Sequence, residues 1–172
     1  TAAAAVVIAV AFIEPWAHPG PRPTVEAPVL ASTETGRAET ATLILTDGSR
    51  VTLGAMSAVE ATFTAKARAV RLVRGAAFFE VAEDPTRPFT VQSGSFKATV
   101  IGTTFEIRTA PDVVRLAVAE GSVRASYPLI AGGRAQNMRI SETLVAGQRV
   151  AAMPDEGLGE VRPVRPGSVV AF

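Results

Sequence analysis

Between about residue 41 and residue 126 the apolar residues come at every second position, in runs of only a few residues, and the runs are broken by Gly, Asp and Pro. Side chains at period two fall on opposite faces of an extended chain, so each run has one face for a core and one for solvent. Helical spacing is hard to find after residue 40. A chain patterned this way is expected to be all-β.

The runs can be followed in order. Leu43 and Leu45 share a face, Asp47-Gly48 supplies a turn, and Val51 and Leu53 return on one face. Asp-Gly between alternating runs is a strong hairpin signal. Val59, Ala61 and Phe63 follow, then Val70 and Leu72 in one parity and Ala77, Phe79 and Val81 in the other. The phase slips near Gly75, which predicts a bulge or a tight corner. Further turns fall at Glu83–Arg87, Ser93-Gly94-Ser95, Pro111-Asp112 and Glu120-Gly121. Later come a loop or hairpin tip at Gly132-Gly133 and a last hairpin in ETLVAGQRVAAM. The expected architecture is many short, mainly antiparallel strands in a sandwich or a solenoid-like stack. Gly48, Gly75 and Gly102 are evenly spaced, but the residues between them do not repeat. Phe78 and Phe79 cannot face the same core from one strand, so one of them needs a second cover.

The two ends read differently. TAAAAVVIAVAFI opens the chain without a charge, and Glu14, Pro15 and Trp16 follow. A buried helix, a signal-peptide core and part of a transmembrane helix all fit such a stretch. Trp16, placed as an interfacial aromatic, favours the third. Pro15, Pro19, Pro21, Pro23 and Pro28 then make a semi-rigid spacer. The expected organisation is the C-terminal part of a transmembrane helix at 1–14, a proline-rich linker at 15–40, and a β domain at 41–153. A linker and the start of a truncated unit are expected at 154–172.

Composition excludes several chemistries. There is no Cys and only one His, His18, inside the proline-rich spacer. That leaves no disulfide framework, no thiolate metal site, no multi-histidine site and no His to activate a serine in the folded part. Net charge is +1, against an electrostatically driven nucleic-acid binder. No catalytic, cofactor-binding or metal residues are expected. Glu80 and Glu106 alternate with apolar neighbours and are expected to face solvent. Arg68, Arg71 and Arg74 read as surface charge, with a binding surface for an acidic partner as the sharper alternative.

Several pieces in order carry a family resemblance. They are DGSRVTL at 47–53, RAVRLVRGAAFFEVAED at 68–84, RPFTV at 87–91, GTTFEIR at 102–108, VAEGSV at 118–123 and AGQRV at 146–150. Together they resemble the periplasmic domain of FecR-type transmembrane anti-sigma regulators. The motif positions are Asp47, Gly48, Gly75, Phe79, Arg87, Pro88, Phe89, Gly102, Thr103, Phe105, Glu120 and Gly121. One departure is Ala76, where the family usually has Glu, which puts in doubt a polar role at that position.

The resemblance implies a single-pass inner-membrane protein of bacteria with this domain in the periplasm. It implies no enzyme and no cofactor. The domain would relay the state of an outer-membrane TonB-dependent receptor, commonly an importer of iron chelates. The target would be an extracytoplasmic-function sigma factor bound through a cytoplasmic region absent from the sequence, released by regulated proteolysis. A periplasmic β-rich module for cell-wall glycan or envelope assembly is the alternative. Two further expectations concern local sites. If the backbone is strained there, the Thr103 hydroxyl can attack the Gly102 carbonyl and give self-cleavage; the alternative is that Gly102 supplies an unusual backbone angle and Thr103 begins a strand. An exposed strand edge at 53–63 or in the 142–152 hairpin would accept a partner strand.

Overall fold

The computed structural model describes residues 29–164 and Val169. The stretch 1–14, most of the spacer including Trp16 and His18, and all but Val169 of 165–172 lie outside the described residues. What is described is all-β, in fourteen strands. They run β1 (Val29–Glu34), β2 (Ala41–Ile44), β3 (Arg50–Leu53), β4 (Ala58–Phe63), β5 (Arg68–Glu80), β6 (Phe89–Ser93) and β7 (Phe96–Val100). Then come β8 (Thr104–Ala110), β9 (Val113–Glu120), β10 (Ser122–Ala131), β11 (Arg134–Val145), β12 (Gln148–Met153), β13 (Gly157–Leu158) and β14 (Arg162–Pro163). Residues 29–34, expected in the linker, form β1 and pair antiparallel with β4.

Long β5 organises the rest. Its first half lies between β4 and β6, in the order β1-β4-β5-β6-β7-β10-β11. Its second half lies between β3 and β8, in the order β2-β3-β5-β8-β9-β12, with β13 and β14 on the far edge of β12. All pairings are antiparallel except β5 with β6. Where a sandwich or a solenoid-like stack was expected, the two halves share β5 and curve into a nearly closed, barrel-like sheet.

The changeover in β5 falls at Gly75, where the sequence phase slips. Gly75 has φ 81°, and a Cβ there would lie 2.3 Å from Ser57 Oγ and 2.6 Å from Ser57 Cα. A glycine alone satisfies both the left-handed backbone and the contact. The corner is tied by hydrogen bonds: Ala76 N–H donates to Ser57 Oγ (2.9 Å), and Ser57 N–H donates to Thr35 Oγ1 (2.9 Å).

The two halves enclose one core, with Phe79, Phe89, Phe96, Phe105, Leu53 and Leu116 fully buried. Phe79 stacks on Phe105 at 4.9 Å between ring centroids and meets Phe89 edge-on at 6.4 Å. Phe78 points to the other face of β5 and is also buried, outside this core cluster.

Candidate functional site

Asp47 and Gly48 close the β2–β3 hairpin as expected. The Gly48 N–H donates to Leu45 O (3.0 Å) and Leu45 N–H to Ser49 O (2.8 Å), with Gly48 at φ 84°. This is a three-residue loop ending in a left-handed residue. The turn aims the Asp47 carboxylate inward: Oδ1 accepts from Ser49 N–H (3.0 Å), and Oδ2 accepts from Ser49 Oγ (2.7 Å) and from Arg68 NH1 (2.9 Å).

Arg68, expected on the surface, is buried; its side chain has no exposure and that of Asp47 5%. The correction has a plain cause. Arg68 shares the parity of Val70 and Leu72 and so points to the core. Its burial is possible because every N–H finds an acceptor. Nε donates to Arg87 O (2.6 Å), NH1 to Asp47 Oδ2 and Ala82 O (both 2.9 Å), and NH2 to Asp84 O and Ile101 O (both 3.3 Å). The guanidinium carbon also lies 5.6 Å from the Phe89 ring centroid. Burial raises the Asp47 carboxyl, but the bonds from Ser49 and Arg68 outweigh it and hold the pKa below the ordinary carboxylate range. Arg71 and Arg74 remain exposed, in ion pairs with Glu60 and Glu34.

The carbonyls held by Arg68 belong to the 82–87 loop and to Ile101, which precedes Gly102-Thr103. A Cβ on Gly102 would lie 2.8 Å from Glu83 Cα, and one on Gly121 would lie 3.0 Å from both Gly102 O and Thr103 Oγ1. The peptide unit is therefore sandwiched between the 82–87 loop and the β9–β10 turn. Thr103 is 5% exposed, and its hydroxyl donates to Ser122 O (2.8 Å). Arg87 turns its side chain back on Asp84 (2.9 Å). The Thr86 hydroxyl, helped by Arg87 and the Thr86 N–H, outweighs desolvation and lowers the Asp84 pKa to about 2.

Asp47, Gly48, Arg87, Phe89, Gly102, Thr103 and Gly121 are thus brought to one knot around Arg68, with Phe79 and Phe105 stacked behind Phe89. Gly75 serves the corner in β5, Pro88 is exposed, and Glu120 is exposed at the end of β9, opposite Thr104. The residues that reading by motif overlooked are Arg68 as a buried cation and Ser49, whose Oγ accepts Ala82 N–H (3.0 Å).

The outer face of the second half differs from expectation at Glu106. Glu80 is half-buried and pairs with Arg50, but Glu106 is 6% exposed, with Oε1 2.6 Å from Arg108. It sits opposite Phe78 on β5 and Ala117 on β9, at one side of a cleft of about 640 Å³. The edge expectation is met in part. β4 in the 53–63 stretch is closed on both sides by β1 and β5, and β12 is flanked by β9 and by β13 and β14, but β11, which supplies residues 142–145, is paired among the described residues only with β10 and ends the sheet. Among the described residues no group of three or more acidic or His side chains is placed to hold a metal, and no helix is long and apolar enough to cross a membrane.

A family model described as FecR protein matches residues 31–124, more than half of the chain. The chain belongs to the FecR family. No curated protein sequence matches it. This FecR domain is similar to two crystal structures of a "putative anti-sigma factor" from Parabacteroides distasonis, at 2.50 and 1.65 Å resolution. The first matches at TM-score 0.66 and 21% identity, over 79% of this chain and 61% of its own. The second matches at 0.65 and 20%, over 78% and 60%. The shared property is the fold, and this chain spans about three-fifths of those proteins' length.

Proposed function

We propose that this FecR domain is the periplasmic signalling part of a single-pass inner-membrane anti-sigma regulator. It relays the state of an outer-membrane TonB-dependent receptor to an extracytoplasmic-function sigma factor, in the uptake of iron chelates, by protein contact and regulated proteolysis. The observation that carries this reading is the family match over 31–124, and the fold shared with the two anti-sigma structures supports it. The test is a sigma-dependent reporter in cells carrying the full-length gene. Deleting residues 29–164 should uncouple the reporter from the imported iron chelate. A reporter that responds to the chelate as before sinks the relay.

Self-cleavage between Gly102 and Thr103 belongs to the same proposal. The Thr103 oxygen would attack the Gly102 carbonyl carbon while its proton passes to the Thr103 nitrogen. The peptide bond becomes an ester, which water then splits. The close packing of Gly102 against Glu83 and Gly121 holds the Gly102-Thr103 unit in place. Against cleavage, the hydroxyl is bonded to Ser122 O and must turn from it first. Intact mass spectrometry decides: two fragments in the wild type and one mass for Thr103→Ala are expected. A single full-length mass in both removes the idea.

A further inference from the structure

The cleft on the outer face of the second half lies across β8, β9 and β12, with the 153–164 segment as one wall. Its shape follows from register. Arg115 on β9 is paired with Ala151 on β12, and Arg149 on β12 with Ala117 on β9. Each arginine therefore faces an alanine methyl, and a hollow opens between the two. The arginines are diagonal neighbours on one sheet face, within reach of one another for long side chains. Met153 and Val164 add apolar wall.

The charges in the cleft are unequally satisfied. Glu106 is paired with Arg108 at 2.6 Å and Glu160 with Arg162 at 3.5 Å. Glu156, the third carboxylate lining the cleft, is within ion-pair distance of neither Arg115 nor Arg149. Both arginines are exposed, and among the described residues neither has an acidic partner. Two unpaired guanidinium forks over an apolar floor are suited to a carboxylate held by two-pronged hydrogen bonds.

We propose that this cleft binds an acidic, partly apolar protein segment. Its Asp or Glu carboxylates bridge Arg115 and Arg149, and its apolar side chains fill the hollow over Ala117 and Ala151. Size favours a peptide over a free anion. A crossing of three strands is about 10 Å, and about 640 Å³ is far more than one phosphate needs. The proposal is independent of the receptor and the sigma factor named above.

The test is fluorescence anisotropy of the 172-residue chain with a labelled peptide of alternating Glu and Val, beside its Gln and Val counterpart. Saturable binding of the Glu peptide is expected, at least about tenfold tighter than the Gln peptide. The double variant Arg115→Ala/Arg149→Ala should weaken binding at least about tenfold, and Arg71→Ala/Arg124→Ala, with the same charge change elsewhere, should not. Unchanged circular dichroism keeps the comparison free of unfolding. Equal losses in both double variants, equal binding of the Gln peptide, or no binding at all would overturn the proposal. Tight binding of a DNA oligonucleotide, or displacement of the peptide by low inorganic phosphate, would overturn it in favour of a general anion site.

Discussion

Replacing Asp47 with Ala tests the central knot. It leaves the Arg68 guanidinium, which has no exposed surface, without its counter-ion. Four carbonyls still accept from it, but none carries a full charge. Breaking a buried ion pair by removing one partner costs about 3–5 kcal/mol. The Ser49 bonds lost with the carboxylate add about 0.5–1.5 kcal/mol each. Domains of this size are stable by about 5–15 kcal/mol, so Asp47→Ala removes a large share. The exposed pair Arg50–Glu80 is the comparator, where Glu80→Ala should cost less than about 1 kcal/mol. The assay is urea denaturation at neutral pH followed by far-UV circular dichroism. A double-mutant cycle with Arg68→Met separates the pair from its surroundings. The double variant should cost less than the sum of the singles by about 1–3 kcal/mol, because no charge is left stranded. A loss below about 1 kcal/mol for Asp47→Ala, or strictly additive costs, would refute the argument.

Three further outcomes follow from the same structure. The depressed pKa of Asp47 contributes stability that is complete above the ordinary carboxylate range, near pH 4, and is lost as pH falls through its lower folded value. Asp84 acts with the same sign between about pH 4 and about 2. Urea midpoints of the wild type should therefore fall steeply below about pH 4, and Asp47→Asn should flatten that fall; parallel curves would contradict the assignment. Gly75→Ala combines a left-handed backbone costing about 1–2 kcal/mol with overlap against Ser57. Gly132→Ala, at φ 58° with open space around it, carries the first cost alone, so thermal melts should rank the two in that order. Phe79→Ala should cost about 3–5 kcal/mol, and Phe78→Ala, outside the core cluster, measurably less in the same denaturation assay.

Local pairings were legible because their signals are local. Asp47-Gly48 and Gly132-Gly133 mark hairpin tips that the structure contains, and the slip at Gly75 marks a real corner. The burial of Arg68 is also legible, since its parity matches Val70 and Leu72 and phase outweighs charge there. Glu106 is the opposite case. Its phase does put it on the outer face, but there it lies opposite the buried Phe78 and pairs with the exposed Arg108. The parallel pairing of β5 with β6 and the sharing of β5 by two halves left no mark in the sequence, because they depend on contacts between distant segments. β1 was hidden by proline-rich neighbours whose composition reads as spacer.

The position of the motif residues bears on what the family pattern can mean. Phe79, Phe89 and Phe105 have no exposed surface, Asp47 is spent on Ser49 and Arg68, and Gly102 is enclosed by Glu83 and Gly121. Such residues cannot touch a partner without the fold opening. They make the family recognisable because they specify the corner, the knot and the core that any member with this fold must build. Exposed motif residues such as Pro88 and Glu120 remain open to a partner, but most of the surface that can discriminate between partners lies outside the motif, on the outer faces of the two halves. Arg115 and Arg149 are of that kind: the backbone around them is fixed by the β8–β9–β12 ladder, and their side chains are free to choose what they hold. A swap of outer-face residues between two FecR domains should therefore transfer partner preference at little cost in stability. A swap of the knot should do the reverse, and pull-down and thermal melts on the same pair of chimaeras measure both.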